Sequence, residues 1–145
     1  MGESVDYKRL KKNWPEPRDR IDRIENIVVF GMPDINMCIS GVEVWVEQKS
    51  PKEPKRASTA LFGSNHKLSI EQRNWFLRQK NAKGRGFILI CSDKRWMLID
   101  GRFADDVNNF TVEELIEIAL WHEAEPIRGK EKWISLRKAM TANLK

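Results

Sequence analysis

The sequence predicts a single α/β (α+β) domain: a small mixed β-sheet that carries an N-terminal hairpin and is flanked by helices. Short apolar or alternating runs of strand length recur, and between them lie charged segments that begin with helix-capping signals. Taken in order they read helix, strand, strand, helix, strand, strand, helix, helix, which is the pattern of a mixed sheet with helices packed on it. The chain has 145 residues, enough for one domain that buries roughly two thirds of its unfolded surface without help from disulfides or a structural metal.

Residues 1–13 are rich in lysine and arginine and read as a loose basic arm. "WPEPRDRIDRIENI" suggests a short helix after Pro17, with Ile21 and Ile24 at helical spacing and Asp19 and Asp22 early in it. Two apolar-alternating runs follow within Gly31 to Lys49, joined by Ser40-Gly41, a pair that tolerates the positive backbone angles of a two-residue hairpin turn. The next stretch, from Ser50 to Lys67, holds prolines, serines, lysines and glycine and reads as a flexible basic loop. Ser69 and Gln72 form a capping box, opening a helix that stops near Gly84. "GFILICS" and "RWMLIDG" read as strands joined around Asp93-Lys94, the first apolar on both faces and therefore central. Thr111 and Glu114 form a second capping box, with Phe110 and Leu115 as a hydrophobic staple, for a helix to about Trp121. A final helix from about Lys130 to Met140 completes a helical C-terminal region, 111–145.

Composition narrows the class of function. The net charge of +5 favours polyanionic partners, and the basic residues cluster at Lys8 to Lys12, at Lys49 to Arg56 and along Arg73 to Arg85, whereas Thr111 to Glu125 is acidic. Ordinary solvated charge is the alternative. Cys38 and Cys91 both lie in apolar runs, which fits buried thiols in a reduced, cytoplasmic setting. No apolar stretch reaches the roughly 20 residues that span a bilayer, and the charged N-terminus lacks a signal-peptide core. The glycines of "KGRGF" do not have phosphate-loop spacing, "WHEAE" lacks the second histidine of a zinc-protease helix, and no nucleophile-elbow motif is present.

The hairpin raises a chemical question. With Ser40-Gly41 as the turn, Ile39 faces Val42, Met37 faces Val44 and Ile35 faces Val46, so every aliphatic pair falls on one side of the ribbon. On the other side the same register sets Asp34 opposite Glu47, at about 4.5 to 5.5 Å between Cβ atoms, with Lys49 on the same face. Facing carboxylates repel unless a positive charge lies between them. Two readings meet that condition. Lys49 bridges the acids at a solvated sheet end, or the two acids hold a hard divalent cation such as Mg²⁺, with Lys49 serving a phosphodiester reaction beside it. A bulge in either strand would shift the register and part the two acids.

On these residues the sequence resembles the PD-(D/E)xK nuclease superfamily, through Pro33-Asp34 and Glu47-Gln48-Lys49. The wider stretch "RIENIVVFGMPDINMCISGVEVWVEQK" resembles the virus-type replication-repair nucleases (VRR-NUC) and the related Holliday junction resolvases, particularly short phage-borne versions, over about Arg23 to Gly101. The resemblance implies a restriction-endonuclease-like core, with Asp34, Glu47 and the Gln48 carbonyl as metal ligands and Lys49 as the catalytic lysine. Gln72 matches a supporting helix glutamine, although its place in the capping box accounts for it equally well. Glu25 matches the acid of the family's first helix, or is an exposed glutamate near a helix start. The resemblance further implies Mg²⁺, replaceable by Mn²⁺, branched DNA such as four-way junctions as substrate, 5′-phosphate and 3′-hydroxyl products, and a homodimer with two sites. Lys52, Lys55, Arg56, His66, Lys67 and Arg73 are candidate backbone contacts to DNA, although a lone loop histidine such as His66 is more often simply solvated. Two further functions stay open: cleavage of flaps, nicks or linear duplex at the same site, and a non-enzymatic DNA-binding module with a salt-bridged sheet end.

Overall fold

A computed structural model describes residues 2–25 and 29–142. Its centre is one six-stranded sheet in sequential order: β1 (Arg20–Arg23), β2 (Ile35–Ile39), β3 (Val42–Lys49), β4 (Arg85–Cys91), β5 (Arg95–Asp100) and β6 (Trp121–Ala124). Only β3 and β4 run parallel; the other neighbours are antiparallel, so the sheet is mixed. Helices α1 (Glu3–Asn13), α2 (Ile70–Asn81), α3 (Val112–Ile118) and α4 (Lys130–Thr141) supply the layers. The parallel step from β3 to β4 is the crossover that contains α2.

Sheet alternation divides the core into two. Val44, Val46, Phe87, Leu89 and Trp96 point to one face, where they meet Leu10 of α1 and Leu136 of α4. Ile88, Ile90, Met97 and Ile99 point to the other, beneath Phe76 of α2 and Leu115 of α3. β4 is buried on both faces and central, as its unbroken apolar run predicts. Each face also carries an edge-to-face tryptophan pair: Trp45 with Trp75 on the α2 face (5.7 Å between ring centroids) and Trp96 with Trp133 on the other (5.4 Å).

The hairpin forms in the expected register, from Ile39 with Val42 to Ile35 with Val46. Ser40 and Gly41 take φ values of 48° and 83°, the paired positive angles of the two-residue turn. Both capping boxes are present, at Ser69 with Gln72 and at Thr111 with Glu114. The staple partners Phe110 and Leu115 share the α2-side core.

Four expectations need correction. Residues 1–13 are not a loose arm: Glu3–Asn13 is a helix whose Leu10 is fully buried and whose Asp6 is 4% exposed. Its buried positions are one aspartate and one leucine, so it carries no apolar stripe to mark it as a helix. The proposed helix after Pro17 is the short edge strand β1, which pairs with β2 and buries Ile21 alone of the two isoleucines. Two apolar residues three apart do not distinguish a turn of helix from a four-residue strand whose partner lies far along the chain. The region 111–145 is not all helix. α3 ends at Ile118, the Leu120 amide donates to the Leu98 carbonyl (2.9 Å), and "WHEA" continues as strand β6 on the open edge of β5. The loop 50–67 has neither helix nor strand, yet it is held down: Pro51, Leu61 and Phe62 are buried, and Glu53 accepts from Ser92 Oγ (2.7 Å) and Arg95 Nε (2.8 Å). Met1, 26–28 and 143–145, which the arm, the first helix and the C-terminal helices were expected to include, lie outside the described residues.

The end of α2 departs from common usage. The Gly84 amide donates to the Gln79 carbonyl (2.9 Å) and the Lys83 amide to the Lys80 carbonyl (3.0 Å), the hydrogen bonds of a Schellman motif. Its left-handed position, normally glycine, is Lys83 at φ 65°, while the glycine stands one residue later. A side chain in that conformation costs about 1 kcal/mol relative to glycine.

Candidate active site

The hairpin's open end lies where the two ladders of β3 diverge. Asp34 stands one residue before β2, so the ladder's next step sets it beside Glu47. The main-chain amide of Gln48 donates to Asp34 Oδ1 (3.1 Å), which turns that carboxylate toward the end of β3. A strand residue's carbonyl leaves on the same edge as its N–H, so the Gln48 carbonyl also faces Asp34. Glu47 and Lys49 project onto the α2 face, beside their β4 neighbours Ile88 and Ile90, and are 5% and 8% exposed. Lys49 Nζ lies 3.8 Å from Glu47 Oε2.

α2 begins above this end. Gln72 performs two tasks at once: its side-chain oxygen accepts from the Ser69 amide (2.9 Å), closing the capping box, and its Nε2 donates to Glu47 Oε2 (3.2 Å). The two roles weighed for Gln72 are therefore compatible, because an amide side chain has an acceptor for one and a donor for the other. Loop residue Gly31 (φ 82°) presses against the first turn of α2, where a Cβ would collide with the Glu71 carbonyl. That close approach holds the segment leading into Asp34 against the helix that carries Gln72.

On the opposite face the Gln48 side chain donates from Nε2 to the Glu3 carbonyl (2.8 Å), and Ser50 Oγ bonds Asp6 Oδ2 (2.8 Å). The first turns of α1 are thus tied to the last residues of β3. The helix is also clamped to the far edge of the sheet, where Arg9 grips Glu125 with both guanidinium nitrogens (2.6 and 2.9 Å).

The electrostatics are those of an under-compensated acid pair. Burial pushes the Asp34 carboxyl up to about 6, against the lowering effect of the Gln48 amide, and the charge of Glu3 raises it further. Burial likewise pushes Glu47 up to about 8, with the Asp34 charge adding to it and Lys49 only partly offsetting it. One lysine does not satisfy a buried carboxylate and a half-buried one beside it. The donor set suits a hard divalent cation, which typically takes one or two carboxylates, a carbonyl and water. Among the described residues no group of three or more His, Cys, Asp or Glu side chains is gathered closely enough to hold a metal, so the carbonyl and solvent would complete the shell.

The structure brings Asp34, Glu47, Gln48, Lys49 and Gln72 together. Glu25 sits exposed past the end of β1 and is not among the principal charges acting on either acid. The helix acid whose field reaches both is Glu3, which sequence reasoning missed because the segment was not read as a helix. Once Glu3–Asn13 is a helix, Glu3 in its first turn is the natural candidate. Of the proposed DNA contacts, Lys52, Lys55, Arg56 and Lys67 are exposed, and His66 and Arg73 are half-buried. Arg73 Nε is buried without a hydrogen-bond partner among the described residues.

No family model and no curated protein matches the sequence. In three dimensions the chain has a restriction-endonuclease-like fold, a mixed sheet with helices on both faces. A solved structure that shares it is Hjc of Archaeoglobus fulgidus, a Holliday junction resolvase from an archaeal hyperthermophile. The two are 14% identical with a TM-score of 0.52, over 79% of this chain and 88% of that one.

Proposed function

We propose that this protein is a Mg²⁺-dependent DNA endonuclease that resolves four-way junctions. The observation that carries the proposal is the mutually repelling pair of half-buried Asp34 and buried Glu47, with Lys49 3.8 Å from Glu47, on a fold shared with a resolvase. Asp34, Glu47 and the Gln48 carbonyl would hold the cation, and Mn²⁺ has the same ligand preferences. When bound, the cation supplies charge stabilisation for the phosphate and lowers the pKa of water. Lys49 orients the attacking water and balances the negative charge that develops on the phosphate. Gln72 fixes the Glu47 carboxylate by its donated hydrogen bond. Glu3 adds negative field that favours a divalent ion over a monovalent one. Water adds across the phosphodiester: a new P–O bond forms, the bond to the 3′ oxygen breaks, and that oxygen gains a proton, leaving a 5′-phosphate and a 3′-hydroxyl.

A four-way junction is two-fold symmetric and needs paired cuts, so the working unit would be a homodimer with one site per subunit. The test is cleavage of a labelled four-way junction against a matched linear duplex, in Mg²⁺ or EDTA, with wild type and Asp34→Asn. Symmetric, Mg²⁺-dependent cutting of the junction alone, reduced at least a hundredfold in the variant, supports the reading. Equal cutting of both substrates keeps the nuclease and removes the junction preference. Absence of cutting by folded protein in Mg²⁺ or Mn²⁺ leaves a DNA-binding module.

A further inference from the structure

A second basic feature lies at the other end of α2. A cavity of about 490 Å³ opens between the C-terminal turn of α2, the start of β4 and the end of β5. Phe76 and the glycines Gly86 and Gly101 line it; a Cβ on Gly101 would stand 2.5 Å from the Phe76 ring and 2.8 Å from the Gly86 carbonyl, so the close approach depends on the missing side chain. Four cations, Lys80, Lys83, Arg85 and Arg102, line the same cavity with one carboxylate, Asp100. Asp100 is engaged by the Arg102 amide (3.0 Å) and lies 4.0 Å from Arg102 Nε, and Arg85 is turned to the Met140 and Ala142 carbonyls at the end of α4. Lys80 and Lys83 have no side-chain hydrogen bond or ion pair among the described residues. Among the described residues the charges of these two lysines are therefore unpaired in a concave site.

Lys83 is the informative member. It occupies the left-handed position of the α2 Schellman motif, where glycine would be less strained and where Gly84 is only one residue away. A strained backbone that persists next to a charged cavity points to a use for the side chain it displays. The ordinary account, a lysine complementing the helix dipole, does not require the left-handed residue itself to be the lysine, because any position in the last turn serves.

We infer that this cavity binds the sugar-phosphate backbone of the DNA beyond the cleavage site, with Lys83, Lys80 and Arg102 as its phosphate contacts. The inference rests on the nuclease reading for the identity of its polyanion. Gln72 at the site and Lys80 at the cavity are eight residues apart on one helix, about 12 Å. That distance equals the axial rise of roughly three to four base pairs of duplex. A DNA arm entering the site therefore meets a second anchorage within half a helical turn, and these lysines are distinct from those of the 50–67 loop.

The experiment measures binding of a fluorescent four-way junction by anisotropy across a salt series, in the Asp34→Asn background so that the DNA stays intact. Replacing Lys80, Lys83 and Arg102 together by glutamine is expected to weaken binding at least tenfold and to reduce the salt slope by about 2 to 3. Lys83→Gly alone is expected to raise Tm while weakening binding about threefold, and Lys83→Arg to keep the wild-type affinity. A lysine kept only for stability would give the opposite pairing. Unchanged affinity and slope in the triple variant, with wild type binding normally, overturns the cavity assignment and leaves the nuclease reading standing. If the wild-type protein neither binds nor cuts DNA, the nuclease reading fails and the cavity assignment fails with it.

Discussion

At the scale of single residues, the site is defined by carboxylates kept where they are least stable as anions. Because burial holds Asp34 at about 6 and Glu47 at about 8, the folded state retains protons that the unfolded chain has released. Metal-free stability from this pair is therefore greatest below about pH 4, the ordinary carboxylate range, and is lost as pH rises through 6 and 8. Thermal unfolding in EDTA should show Tm falling across that interval. Asp34→Asn and Glu47→Gln should each raise the metal-free Tm at pH 8. Saturating Mg²⁺ should raise Tm in wild type, adding about 2.7 kcal/mol of stability at a hundred times Kd, and should fail to do so in the two variants. A simple salt-bridged sheet end would show neither the cation effect nor the gain on neutralisation. Gln72 allows a second separation at this scale. Ser69→Ala removes the cap and should cost about 1 kcal/mol with cleavage retained, whereas Gln72→Ala should cost a similar amount and also lose cleavage, because only the latter frees Glu47.

At the scale of elements, α1 acts as a mount for the end of β3. Its first turn bonds Gln48 and Ser50, on either side of Lys49, and its middle is locked by Leu10 and by the Arg9 grip on Glu125. Leu10→Ala should lower stability by about 2 to 5 kcal/mol in denaturant titrations, the usual loss for a fully buried leucine, and should loosen the strand that carries the acids. α1 was also the element least legible in the sequence. Its buried positions are an aspartate and a leucine, so no apolar stripe marks it. β1 and β6 were missed for a related reason: each is four residues long and owes its conformation to a partner strand elsewhere in the chain. The hairpin, α2 and the central strands were legible because turn chemistry, capping boxes and unbroken apolar runs are local signals. Asp34, Glu47 and Lys49 followed from the hairpin arithmetic, whereas Glu3 and the charged cavity at the end of α2 required tertiary geometry.

At the scale of the whole molecule, the acids, the lysine and Gln72 come from one crossover unit, β2, β3 and α2, while α1 and the remaining strands and helices hold that unit in place. The sheet separates two apolar layers, so the chemistry on the α2 face is structurally insulated from the packing of α4 on the other. The two edge-to-face tryptophan pairs fall on opposite sides of that division. Trp45 is two residues before Glu47 and contacts Trp75 on the helix that carries Gln72, while Trp96 and Trp133 lie in the other layer. The protein thus contains its own pair of optical reporters. With Trp14, Trp121 and one pair replaced by phenylalanine, the pair that remains reports either on events at the acids (Trp45 and Trp75) or on loss of the α4 layer (Trp96 and Trp133), so occupancy and unfolding are read separately without any label.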